Sequence, residues 1–221
     1  LVICEEAYES PVETEFAVSY NEEKGNYNFG FLQVRPMVVS SEEVTIEEKE
    51  MSGENVLLSS TYVLGNGSLK DIKDIVYLKI GNFQAKYTYK IAKELEEINK
   101  KMVEQNKPYL LIGFGRWGTT DPWAGIPVDW GQIAGAKVIV ETSIEEMLQE
   151  MSQASHFFHN VTSFQVSYFS IPYTEQENID WDWLYELETV EETQFIKHAE
   201  TKNGIYVKVD GRCGKGVILK S

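Results

Sequence analysis

The chain is 221 residues long, 43% hydrophobic, 12% aromatic and 25% charged, which excludes a disordered or fibrous polymer and supplies material for a sizeable core. A formal net charge of -15 and a pI near 4.7 oppose association with nucleic acid or an anionic membrane, where like charges would meet. The cysteines, Cys4 and Cys213, are too isolated for a disulfide framework or a thiolate metal site, and no apolar run has the length of a membrane span, so a reducing cytoplasmic setting is expected.

Leu1 to Ser10 reads as the end of a helix closed by Pro11. Glu13 to Tyr20 alternates as a strand, Asn21 to Asn28 is a polar connection around Gly25, and Phe29 to Val39 is a second strand interrupted at Pro36. A hairpin is expected. The abrupt start without an initiator Met suggests a piece excised from a longer protein.

Glu-Phe-Ala-Val at 15 to 18, followed by Gly-Phe-Leu-Gln-Val-Arg-Pro at 30 to 36, resembles the closing strands of the ATP-grasp domain of phosphoenolpyruvate synthase and pyruvate phosphate dikinase. The resemblance implies that Glu15 and Gln33 hold magnesium beside ATP and that Arg35 contacts phosphate. The other walls of that site would come from an upstream ATP-grasp domain of the same chain. The chemistry agrees, because magnesium takes oxygen ligands and a guanidinium clamps phosphate oxygens in pairs. An ordinary hairpin with an exposed Glu and Arg is the plain alternative.

This resemblance covers about the first 37 residues. Neither the phosphorylatable Thr-Cys-His segment nor the phosphoenolpyruvate-binding barrel that follows in those enzymes is found. The remainder resembles the extra C-terminal domain of bacterial phosphoenolpyruvate synthase-like proteins, which share its Gly-Arg-Trp-Gly and Ser-His-Phe-Phe segments.

Val38 to Gly53 is acidic and polar, and reads as the boundary between an ATP-grasp remnant at 1–37 and a second domain at 38–221. Asn55 to Ser59 and Ile75 to Ile80 read as strands around the turn Gly65-Asn66-Gly67. Phe83 to Gln105 has the spacing of a helix, with Tyr87, Ile91, Leu95, Ile98 and Met102 forming an apolar stripe. Tyr109 to Ile112 is a buried strand, Ala136 to Val140 another, and Ile144 to Met151 a short acidic helix. Phe164 to Ile171 alternates as a strand and Ile179 to Leu187 is a Trp-rich helix. Phe195 to Val209 and Gly216 to Leu219 end the chain as antiparallel strands. The expected class is α/β, a central mixed sheet with flanking helices preceded by the hairpin.

Gly113, Gly115 and Gly118 follow the buried strand with the spacing of a dinucleotide-binding turn, but Thr119-Thr120-Asp121-Pro122 is turn chemistry rather than the start of the required helix. A loop remains that could present backbone amides, Arg116 and two Thr hydroxyls to a small anion such as a phosphate or carboxylate. Alternatively the glycines permit a tight turn, Trp117 and Trp123 fill core, and Arg116 pairs with Asp121 or Asp129.

His156 and His159 would share a helical face as two metal ligands, as contacts to the same anion, or as phosphoryl acceptors. Two half-buried rings satisfied by carbonyls are the structural alternative. Asp121 and Asp129 are candidate bases or Asx caps, and residues 210 to 216 a second phosphate loop or a hairpin turn. His198 is assigned no role.

Two functional expectations follow. The first is a C-terminal fragment of an ATP-dependent phosphotransferase of the phosphoenolpyruvate synthase type, inactive alone, with ATP and magnesium as cofactors of the full-length parent. The second is a non-catalytic module that recognises an anionic metabolite or a partner domain. Neither sequence pattern identifies a phosphoryl acceptor.

Overall fold

A computed structural model of the chain describes residues 1–22, 25–36, 43–121, 123–144 and 160–220. They fall into two units, Leu1–Val39 and Ser40–Ser221. The first contains helix α1 (Val2–Tyr8), which ends where Glu9 turns left-handed, and strands β1 (Val12–Asn21) and β2 (Asn26–Pro36). The strands pair antiparallel, and Pro36, unable to donate to a ladder, ends the second.

Cross-strand partners share a face, so the register sorts the side chains. Glu13 lies opposite Arg35 and Glu15 opposite Gln33, whereas Phe16 lies opposite Phe31 and Val18 opposite Phe29. The register shifts between Glu15 and Phe16, leaving Leu32 without an opposite number. Strict alternation would put Phe29, Phe31, Gln33 and Arg35 together. The extra residue reverses the phase, collecting Phe16, Phe29 and Phe31 on one face and the polar group on the other. The rings of Phe16 and Phe29 stack at 5.2 Å on the aromatic face.

The second unit is organised by a mixed sheet. Its elements in chain order are β3 (Val56–Ser60), β4 (Val63–Leu64), β5 (Gly67–Leu78), α2 (Thr88–Glu104), β6 (Tyr109–Phe114), a small pair β7 (Arg116–Trp117) and β8 (Gly125–Ile126), and β9 (Ala136–Thr142). There follow β10 (Ser167–Ile171), α3 (Trp181–Glu186), β11 (Glu188–Glu192), β12 (Ile196–Asp210) and β13 (Lys215–Leu219). Nine strands join in the order β3-β13-β12-β5-β6-β9-β10-β4, with β11 on the flank of β12. Strands β5, β6, β9 and β10 run parallel and the other pairs antiparallel.

Strands β3 and β4 lie at opposite ends of this path, yet only Thr61 and Tyr62 separate them in the chain. The sheet therefore curls until its two edges meet. The Ser60 hydroxyl donates to the Ser170 carbonyl at 2.6 Å and the Ser170 amide to the Tyr62 carbonyl at 2.9 Å, stitching the seam. Inside the curl Ile75, Tyr77, Leu110, Ile112, Val138, Val140, Phe169 and Val207 form one apolar cluster with Leu184 of α3. A Cβ at Gly216 would sit 2.5 Å from the Phe169 ring, so the interior is filled by side chains, as in small closed sheets.

On the outer face Val76, Leu111, Ile139 and Tyr168 pack with Ile91, Leu95, Ile98 and Met102 of α2, the stripe read from the sequence. Each such fully buried side chain contributes about 1.5 to 3 kcal/mol. Because β6 is covered on both faces, its residues form an unbroken apolar run rather than an alternating one. The helix begins at Thr88, preceded by a 3-10 turn at Ala85–Tyr87, and not at Phe83.

The strand expected from Phe164 starts only at Ser167, because residues 160–163 are helical and Gln165, at φ 53°, closes that helix. The acidic 38–53 stretch is less of a linker than its composition implies. Its Val44 and Ile46 are buried against Val217. The helix expected at 144–151 falls, beyond Ile144, outside the described residues. Among the described residues no helix is long and apolar enough to cross a membrane.

Candidate functional site

On the polar face of the hairpin, Glu15 and Gln33 are both exposed and directly opposed, so a carboxylate and an amide oxygen stand on neighbouring strands of one surface. One step along, Arg35 makes a forked contact with Glu13: Nη2 to Oε1 at 3.1 Å and Nε to Oε2 at 3.3 Å. Glu13 thus occupies the guanidinium edge on which a phosphate would be held. An exposed pair of this kind is worth at most about 1 kcal/mol, so an incoming phosphate displaces it at small cost.

The glycine segment is built differently from a ligand-binding loop. Gly113 and Phe114 remain in β6, paired with Glu141 and Thr142 of β9. The Gly115 amide donates to the Thr142 carbonyl at 2.8 Å, the Arg116 amide to Ala124 at 2.9 Å and the Gly118 amide to Ile126 at 2.9 Å. These three donors are spent on the fold. Any anion here would rest on the half-buried Arg116 side chain and on Thr119 and Thr120, not on a cradle of amides.

Gly113 is required for space: a Cβ there would lie 2.3 Å from the buried Trp117 ring, whose Nε1 donates to the Val140 carbonyl at 3.2 Å. Gly115 and Gly118, at φ 70° and 72°, take the left-handed conformation that lets the chain leave β6 and form the small β7–β8 pair.

Asp121 accepts from the Trp123 amide at 2.9 Å in an Asx turn, and Asp129 shares a capping box with Gln132. At 210–216 the Asp210 carboxylate accepts from the Arg212 amide, closing a hairpin turn between β12 and β13. His156 and His159 lie outside the described residues. No group of three or more metal-ligating side chains occurs among the described residues.

A buried polar pair was not expected from the sequence. The Tyr168 hydroxyl donates to the Glu141 carboxylate, and both residues are buried on the outer face of the sheet. Burial drives the Tyr168 phenol far above its ordinary range, reinforced by the Glu141 charge and the bond itself. Glu141 stands opposite Gly113 near the carboxyl end of β9, beside the segment that carries Arg116. The signal was an acid immediately after the apolar run Val138 to Val140.

His198 is also buried, its Nε2 2.8 Å from Asp74, which Lys107 approaches at 3.6 Å. It joins β12 to β5.

Comparison of the chain with family models, with curated proteins and with solved structures gives no match.

Proposed function

We propose that the unit Leu1–Val39 forms one wall of a magnesium–ATP site in an ATP-dependent phosphotransferase of the phosphoenolpyruvate synthase type, with the remaining walls contributed by an upstream ATP-grasp domain. The observation that carries this reading is the direct opposition of Glu15 and Gln33 on the face that also holds Arg35. Their donor atoms are oxygens, the ligand type magnesium takes, and two protein ligands leave room for phosphate oxygens and water.

Within that site Glu15 and Gln33 would hold the ion, and Arg35 would leave Glu13 to clamp a phosphate edge. Bound magnesium neutralises phosphate charge. A single hairpin cannot enclose a nucleotide, so the chain alone is inactive.

In the full-length protein, the Glu15→Gln, Gln33→Ala double variant should still bind ATP without magnesium but lose most of the magnesium-dependent gain in affinity. An unchanged magnesium dependence would remove the hairpin from the site. The second reading, a module for an anionic metabolite, loses support from the internal engagement of the Gly115, Arg116 and Gly118 amides.

A further inference from the structure

Strands β5, β6, β9 and β10 all finish at one end of the curled sheet, where β3 also begins and β13 ends. Mouths of closed sheets and the carboxyl ends of parallel strands are where small-molecule sites concentrate. At this end a cleft of about 720 Å3 opens between the loop before β3 and the start of α3. Its volume lies within the range of about 300 to 1,000 Å3 typical of ligand sites.

The charges around the cleft are unbalanced. Lys220 and Asp180 neutralise each other at 2.6 Å, and Asp180 also caps α3 by accepting from the Trp183 amide. Glu54 and Asp182 line the same cleft and enter no ion pair among the described residues. Among the described residues the cleft carries two uncompensated carboxylates, and the ammonium group of Lys220 is already engaged.

A second feature is independent of charge. Ser59 lines the cleft and is only 7% exposed, and its hydroxyl has no hydrogen-bond partner among the described residues. That hydroxyl is reached from the cleft and is available to a bound polar group. Apolar surface is supplied by Ile179 and by Trp181, which is held by stacking on Phe114 at 6.0 Å and Tyr185 at 6.2 Å.

We propose that this cleft binds a small organic ammonium ion, an amine on a short apolar body. The ammonium N–H groups donate to Glu54, Asp182 and the Ser59 hydroxyl, and the carbon body lies against Ile179 and Trp181. Anions are disfavoured by the two free carboxylates. A bare divalent cation lacks a group of three ligating side chains among the described residues.

The test is calorimetric titration of the whole chain with diaminobutane, followed in parallel by tryptophan fluorescence, against butanediol and magnesium chloride at matched ionic strength. The expected result is saturable one-to-one binding of the diamine alone. Glu54→Gln with Asp182→Asn should weaken it by roughly tenfold or more, and Ser59→Ala by roughly threefold, as loss of charge-assisted and neutral hydrogen bonds predicts. Both acids are exposed, so these variants should keep the parent's unfolding midpoint. Absence of saturation by about 10 mM diamine, where affinity falls below any specific site, would overturn the proposal. Equal competition by magnesium, or unchanged affinity in the Glu54, Asp182 double variant, would overturn it too.

Discussion

Phe31 and Gln33 lie on opposite faces of the β1–β2 hairpin although they stand two positions apart in one strand, because Leu32 between them is inserted without an opposite number. That one insertion gives the hairpin an aromatic face and a polar face. Deleting Leu32 removes the bulge while every other residue keeps its partner, so Phe29 and Phe31 stay on the face of Phe16 and Val18, and Glu15, Gln33 and Arg35 stay together on the other. The Phe16–Phe29 ring contact should therefore persist in NMR spectra of the deletion variant. Its loss, with Phe29 and Phe31 brought to the side of Glu15, would show that the phase is set elsewhere.

The two units should differ in local stability. Every residue of Tyr109–Phe114 is buried, whereas Phe16, Val18, Tyr20, Phe29 and Phe31 of the hairpin are each more than half exposed. A two-stranded hairpin with so little cover opens at small free-energy cost, and a central strand opens only on global unfolding. Amide exchange should therefore be slower by at least about three orders of magnitude in β6, the ratio given by a difference of about 4 kcal/mol.

Substitution at Gly113 tests the packing explanation of the glycine segment. Gly113→Ala forces a methyl group into the Trp117 ring and should destabilise the protein by about 2 kcal/mol or more in urea unfolding, with a shift in tryptophan emission. Gly115→Ala meets left-handed backbone instead, and about 1 to 2 kcal/mol is expected without that spectral change.

Much of this was legible in the sequence where periodicity is local. The α2 stripe and the continuous run of β6 announce themselves because helix and buried-strand patterns repeat within a few residues. The Ser60–Ser170 seam joins residues far apart in the chain, and no local pattern encodes it. Gly113 reads as a breaker after a strand, yet it belongs to the strand, since its missing side chain makes room for Trp117. Glu141 sits one residue beyond an apolar run, where acids usually meet solvent, so its burial has no local signal. The cleft residues Glu54, Ser59 and Asp182 come from three separate segments, which only the curled sheet brings together.

The Glu141–Tyr168 pair predicts both a mutational and a pH effect. Tyr168→Phe leaves a buried carboxylate without this donor and should cost about 1.5 to 3 kcal/mol. Tyr168 ionises at higher pH in the fold than the value of 10.0 for an ordinary tyrosine, so the unfolded chain loses its proton first. The stabilisation is complete below that value and is lost as pH rises above it. Tyr77 and Tyr109, raised chiefly by burial, act in the same direction. Unfolding free energy should fall on the alkaline side, less steeply in Tyr168→Phe than in the parent, as denaturant titrations across pH 9 to about 11 would report.

The role proposed for the hairpin is tested most directly by ATP turnover of the full-length protein carrying Arg35→Ala or Arg116→Ala. Arg35 stands beside the Glu15–Gln33 pair, whereas Arg116 lies in a segment whose amides are committed to the fold. The expected result is a loss of turnover on the order of a hundredfold or more for Arg35→Ala, the usual cost of removing a phosphate-stabilising group, with Arg116→Ala near the parent. Full activity in Arg35→Ala, or its loss in Arg116→Ala alone, would contradict it.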